Sequence, residues 1–128
     1  MTVVREFMVR DVVTVDQELS LSKTFQIMMD RNIGSVIITE KGKPKGIFTE
    51  KDILLKVFGR GARYSEKVKK HMSTPLITIR PDQELKEAAQ LMTIRNIRHL
   101  PVIDNEMLVG MVSNRDLLKV LAGNSQGK

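Results

Sequence analysis

Gly46-Ile47-Phe48-Thr49-Glu50-Lys51-Asp52 is written a second time, 64 residues on, as Gly110-Met111-Val112-Ser113-Asn114-Arg115-Asp116. Each copy runs glycine, two apolar residues, a hydroxyl, two polar residues of which the second is basic, and an aspartate. The match extends outward without a gap from Met8–Gly59 over Met72–Gly123, pairing Met8/Met72, Thr14/Thr78, Leu21/Leu85, Gln26/Gln90, Met28/Met92, Arg31/Arg95, Asn32/Asn96, Ile33/Ile97, Asp52/Asp116, Leu54/Leu118 and Gly59/Gly123. Chance would supply roughly three such identities over this length. The chain is therefore a duplicated unit. The tetrapeptide Asp-Gln-Glu-Leu at 16–19 and 82–85 would need a shift of 66 and compensating gaps, and is a coincidence.

The periodicity changes in the same order in both copies. Val12–Val15 and Leu76–Ile79 are short aliphatic runs ending in turns, the second marked by Pro81 and Asp82, and predict brief strands. Leu21, Phe25 and Met28, matched by Leu85, Ala88, Ala89 and Met92, are spaced along one helical face. Val36–Thr39 and Leu100–Ile103 predict strands, and polar residues near Gly42 and Asn105 turn the chain into further strands at Gly46–Phe48 and Gly110–Val112. A last helix follows each, with Ile53, Leu54 and Val57 answering to Leu117, Leu118 and Leu121 as its apolar face. The order strand, helix, strand, strand, helix, twice, makes an α+β fold. Units of about fifty residues bury too little apolar surface to stand alone, so the repeats should share a core. The expected division is repeat 1 over residues 1–60, a basic linker over 61–71, repeat 2 over 72–124 and a disordered tail over 125–128.

Composition narrows the class. The chain has 128 residues, no cysteine and two histidines, His71 and His99, so disulfides and thiolate metal sites are excluded. No apolar run approaches the roughly 20 residues of a membrane span, and residues 1–10 lack the apolar core of a signal peptide, which points to the cytoplasm and away from a membrane. A net charge of +6 favours anionic company: nucleotides, nucleic acid or an acidic protein. Neither an activated nucleophile nor paired acids on one element is evident, so an enzyme is not expected.

A hydroxyl three residues before an acid at a helix start is a capping box, and on those two residues alone plain capping is the simpler reading. Two additions favour a ligand. Gly46 and Gly110 would let one approach the backbone, and the helix N-terminus, with Lys51 and Arg115, suits a phosphate. The carboxylates of Asp52 and Asp116 would repel that phosphate and need donors, which the two hydroxyls of a ribose supply.

The Gly-h-x-Thr/Ser-x-x-Asp motif, with h apolar, in a strand-helix-strand-strand-helix repeat resembles a tandem pair of CBS domains, a Bateman module, over nearly the whole chain. Asn96-Ile97-Arg98-His99-Leu100-Pro101-Val102, Thr14-Val15 and Thr78-Ile79 are similar to further family segments. The resemblance implies a pseudo-twofold stand-alone module with two clefts between the repeats for adenosine-containing ligands such as AMP, ADP, ATP or S-adenosylmethionine. It implies ribose contacts at Asp52 and Asp116. Phosphate contacts fall to Thr49, Lys51, Ser113, Arg115, Arg98 and His99, and base contacts to Val13, Thr14, Ile37, Ile77, Thr78 and Pro101. It also implies a homodimer, and regulation in trans of an effector protein. Gly34-Ser35-Val36-Ile37 replaces Arg98-His99-Leu100-Pro101 in the first copy, so two unequal sites are expected.

Bland readings stand beside these. His99 also suits a satisfied, partly buried imidazole, Arg31 and Arg95 complement helix ends, the eight methionines fill cores or a dimer interface, and the linker cations form a solvated face. The runner-up function is nucleic-acid binding, supported by charge but not by any aromatic platform, since the chain has no Trp, one Tyr and four Phe.

Overall fold

The computed structural model describes residues 1–126. β1 (Thr14–Asp16) leads to α1 (Leu21–Arg31), β2 (Ser35–Glu40), β3 (Lys43–Thr49) and the short α2 (Glu50–Asp52), which continues as a π-helical turn over Ile53–Phe58. The second copy runs α3 (Leu85–Arg95), β4 (His99–Asp104), β5 (Met107–Ser113) and α4 (Asn114–Gln126). Helix boundaries follow from local chemistry repeated at the 64-residue offset. Ser20 accepts from Lys23 N at 3.1 Å to open α1, and the Glu87 carboxylate accepts from Glu84 N at 3.1 Å to open α3. Asn32 (φ 53°) and Asn96 (φ 54°) close the same helices in the left-handed conformation that asparagine tolerates. Positive φ at Lys41-Gly42 and Asn105-Glu106 turns each hairpin with the twist its strands need.

The first copy forms a three-stranded sheet, β1 parallel to β2 and β2 antiparallel to β3, whereas the second has only the β4–β5 hairpin. The strand expected at Leu76–Ile79 is reduced to one parallel bridge, Ile79 with Val102. Two prolines explain the loss. β1 is flanked by Ile37 N donating to Val13 O at 3.1 Å and Gln17 N donating to Thr39 O at 2.8 Å; the positions equivalent to Ile37 and Gln17 are Pro101 and Pro81, which have no N–H.

The chain forms two compact units that are offset from the sequence repeats. One is Val13–Leu76; the other joins Met1–Val12 to the chain from Ile77 onward. In the first unit Val15, Leu21, Met28, Val36, Ile38, Phe48 and Val57 cluster around Val68; in the second Ile79, Ala88, Met92, Leu100, Val102, Val112 and Leu117 cluster around Val4. Val4 and Val68 are 64 residues apart and both wholly buried. The repeats therefore share apolar surface by contributing their leading segments to a unit completed by the other repeat, giving two clusters in place of a single core.

The stretch 61–71, expected as a linker, is accordingly structural. Leu21 N donates to Glu66 O and Ser22 N to Tyr64 O, Val68 N donates to Leu19 O at 2.8 Å, and the Tyr64 ring meets Phe25 edge-on at 5.9 Å. A buried Val68 and these ladder-like bonds make it part of the unit rather than a tether. Of the tail expected over 125–128, α4 runs through Gln126 and residues 127–128 lie outside the described residues. The apolar face of the last helices is split. Ile53, Val57 and Leu117 face inward, but Leu54 and Leu118, each turned by about 100° from its inward neighbour, are more than half exposed, as is Leu121 a turn beyond Leu117.

Candidate functional site

The repeated motif closes a capping box in both units. Thr49 N and Oγ1 donate to Asp52 Oδ2 at 2.9 and 3.2 Å, and Asp52 N donates back to Thr49 Oγ1 at 3.4 Å. Ser113 N and Oγ donate to Asp116 Oδ2 at 2.7 and 3.0 Å, and Asp116 N returns at 3.2 Å. The capping reading therefore holds for both copies. Each hydroxyl has given its only hydrogen to the aspartate, so in this conformation neither Thr49 nor Ser113 retains a donor for a phosphate.

The glycines are required by the chain itself. A Cβ on Gly46 would stand 2.8 Å from Ser73 O and 2.9 Å from Met72 Sδ; one on Gly110 would stand 2.6 Å from Met8 Sδ and 3.0 Å from Val9 O. Their neighbours bridge these same segments, Ile47 to Ser73 and Met111 to Val9. The repeated Gly and Met pairs are thus two sides of one contact.

The remaining carboxylate oxygens differ. Asp52 is 6% exposed, and its Oδ1 accepts from Lys56 Nζ at 3.1 Å and Ser73 Oγ at 3.1 Å. Asp116 is half-buried, and among the described residues its Oδ1 receives neither a hydrogen bond nor an ion pair. Two arginines lie at positions neighbouring Asp116. His99 pairs across the sheet with Ser113, and Asn114 N donates to Arg98 O at 2.9 Å, so exposed Arg98 and Arg115 flank the acid along the chain and across the hairpin. Around Asp52 the equivalent places hold Gly34 and Ser35. Glu50 N donates to Gly34 O at 3.1 Å, and a Cβ on Gly34 would lie 2.7 Å from Glu50 Oε1, so an anionic side chain covers the spot where the other unit carries Arg98. Lys51 is exposed at this turn.

The expected base contacts divide. Thr14 and Thr78 are exposed and Val13 and Ile77 half-buried, but Ile37 and Pro101 are buried under neighbouring chain. Lys56, Ser73 and Glu50 were missed by sequence reasoning. The signal lay in the duplication, since Lys56 answers to Val120, Ser73 to Val9 and Glu50 to Asn114.

Residues 4–59 and 68–123 each match the CBS domain family. The chain belongs to that family. It is a tandem CBS pair, and CBS pairs are regulatory, ligand-binding units. The CBS domain-containing protein YhcV of Bacillus subtilis is 34% identical over 117 residues, 91% of this chain and 84% of the relative. Protein MK0525 of Methanopyrus kandleri is 40% identical over 114 residues, and protein MJ1404 of Methanocaldococcus jannaschii 34% over 140; the match spans 58% and 33% of their respective lengths. Among solved structures, the CBS-domain containing protein ATU1752 of Agrobacterium tumefaciens superposes with a TM-score of 0.87 at 30% identity, covering 94% of this chain and 93% of that one. The CBS domain pair of protein MJ0100, solved in complex with 5′-methylthioadenosine and S-adenosyl-L-methionine, superposes with a TM-score of 0.88 at 26% identity, covering 97% and 98%. Among the described residues no helix of this CBS pair is long and apolar enough to cross a membrane.

Proposed function

We propose that this CBS pair is a cytoplasmic, non-catalytic sensor of adenosine-containing ligands, with adenine nucleotides as the favoured class. The supporting observation is the Asp116 turn. A carboxylate oxygen with two lone pairs and, among the described residues, no protein donor suits the paired hydroxyls of a ribose, and Arg98, His99 and Arg115 beside it suit a phosphate. S-adenosylmethionine is the second reading, favoured by the ligands of the MJ0100 pair. The ligand acts as a signal only to the extent that it binds one state of the module better than another. A homodimer is the assembly we favour for reading that state, through exposed Leu54 and Phe58 on one unit and Leu118 and Leu121 on the other, with the output passed in trans to an effector protein.

Calorimetry of the full chain against AMP, ADP, ATP and S-adenosylmethionine tests the reading. Asp116→Ala should weaken whichever ligand binds by at least about tenfold, or about 1.4 kcal/mol. Arg98→Ala should weaken AMP and ATP more than S-adenosylmethionine, whose one anionic group is a carboxylate and not a phosphate. Unchanged affinity in a folded Asp116→Ala protein would overturn the role of that residue.

A further inference from the structure

The two aspartates of the duplicated motif are chemically alike in sequence and differ in what holds them. A carboxylate has about four lone-pair positions. In Asp52 all are used: Oδ2 by Thr49 N and Oγ1, and Oδ1 by Lys56 Nζ and Ser73 Oγ. The clamp is itself closed. Lys56 Nζ has three hydrogens and three acceptors, with His71 O at 2.8 Å, Ser73 Oγ at 3.3 Å and Asp52 Oδ1 at 3.1 Å. The Lys56 side chain is 21% exposed and that of Asp52 8%, so the pair is shielded from water and its partners are not readily exchanged. A ribose approaching Asp52 would have to replace both a charge-assisted bond and a hydroxyl bond with two neutral hydroxyls, which is a losing exchange. At Asp116 the equivalents of Lys56 and Ser73 are Val120 and Val9, neither of which can donate from its side chain.

We infer that Lys56 and Ser73 convert Asp52 from a ligand residue into an internal anchor, so that the chain takes one ribose-bearing ligand, at Asp116. The clamp joins the end of α2 and the π-helical turn after it to the segment 71–73 and so fastens the leading segment of repeat 2 onto its unit. The ligand half of this inference rests on the function proposed above; the anchor half does not.

The isosteric pair Asp52→Asn and Asp116→Asn separates the two halves. In Asp52→Asn an amide, half donor, faces the Lys56 ammonium; in Asp116→Asn the corresponding group meets no donor among the described residues. Asp52→Asn should lower Tm by about 5 °C or more beyond Asp116→Asn. Titrated with AMP and with S-adenosylmethionine, Asp52→Asn should keep wild-type affinity within about twofold, and Asp116→Asn should lose at least about tenfold. If Asp52→Asn does not fold, Lys56→Gln serves, with lowered Tm and unchanged affinity expected. Equal affinity losses in the two aspartate variants, or two equivalents of probe bound per wild-type chain, would overturn the inference while leaving the sensor reading intact. If neither probe binds the wild-type chain, the sensor reading falls, and equal melting of Asp52→Asn and Asp116→Asn would then overturn the anchor as well.

Discussion

The unit built on Val13–Leu76 and the unit built on Met1–Val12 with the chain from Ile77 share a motif, a hairpin bulge and a helix cap, yet they have diverged in opposite directions. The first has spent its polar side chains on itself. Asp52 is clamped by Lys56 and Ser73, Glu18 is tied to Lys67 at 2.6 Å and Lys69 at 2.8 Å, and Glu66 meets His71 at 2.8 Å. In the second, valines stand at the clamp positions, and Asp116, Arg98 and Arg115 present polar groups to solvent. The same motif is thus tied into the framework in one unit, whereas in the other, among the described residues, Asp116 Oδ1 has no protein donor.

Moving the clamp to the other unit should have the largest effect. The double variant Val9→Ser/Val120→Lys should build donors onto Asp116 and reduce AMP affinity at least about tenfold, with Tm held or raised; full binding by a folded double variant would show that the clamp does not exclude ligand. Next in size is the glycine contact. Gly46→Ala drives a methyl against backbone, Ser73 O at 2.8 Å, whereas the atom nearest Gly110 is the flexible end of Met8. We expect Gly46→Ala to cost about 2–3 kcal/mol in denaturant unfolding and Gly110→Ala about 1 kcal/mol. Equal costs would mean that the two leading segments are equally free to shift.

Much of this was legible in the chain. The 64-residue offset, helices α1 and α3, both hairpins and the capping hydroxyls follow from local pattern, because spacing and short polar side chains act within a few residues of themselves. The clamp was not legible from the motif, since Thr49-Glu50-Lys51-Asp52 and Ser113-Asn114-Arg115-Asp116 read alike while Ser73 lies 21 residues from Asp52. The exchange of leading segments left no local trace either. Val68 stands alone among lysines and a glutamate, Val4 lies in the short run Val3-Val4, and only tertiary contact shows which cluster each completes. The missing strand at 76–79 was readable in principle from Pro81 and Pro101, whose absent N–H groups fall where the first copy makes its ladder bonds.

The smallest expected effect is electrostatic. Hydrogen bonds from Lys67 and Lys69 lower the Glu18 carboxyl from 4.5 to about 2. A depressed carboxylate contributes stability that is present above its unfolded value and lost as pH falls through its folded one. Stability of the unit holding Glu18 should therefore decline between about pH 4.5 and 2, and Glu18→Gln should flatten that decline. Because the triad is exposed, the difference should also shrink in high salt. A pH profile identical in Glu18→Gln would remove the triad from the account.

The central claim, one ligand residue and one anchor from a single duplicated motif, is tested most directly by the stoichiometry of AMP binding to the wild-type chain in calorimetry. One equivalent per chain is expected, lost in Asp116→Asn and retained in Asp52→Asn. Two equal, independent equivalents would contradict it.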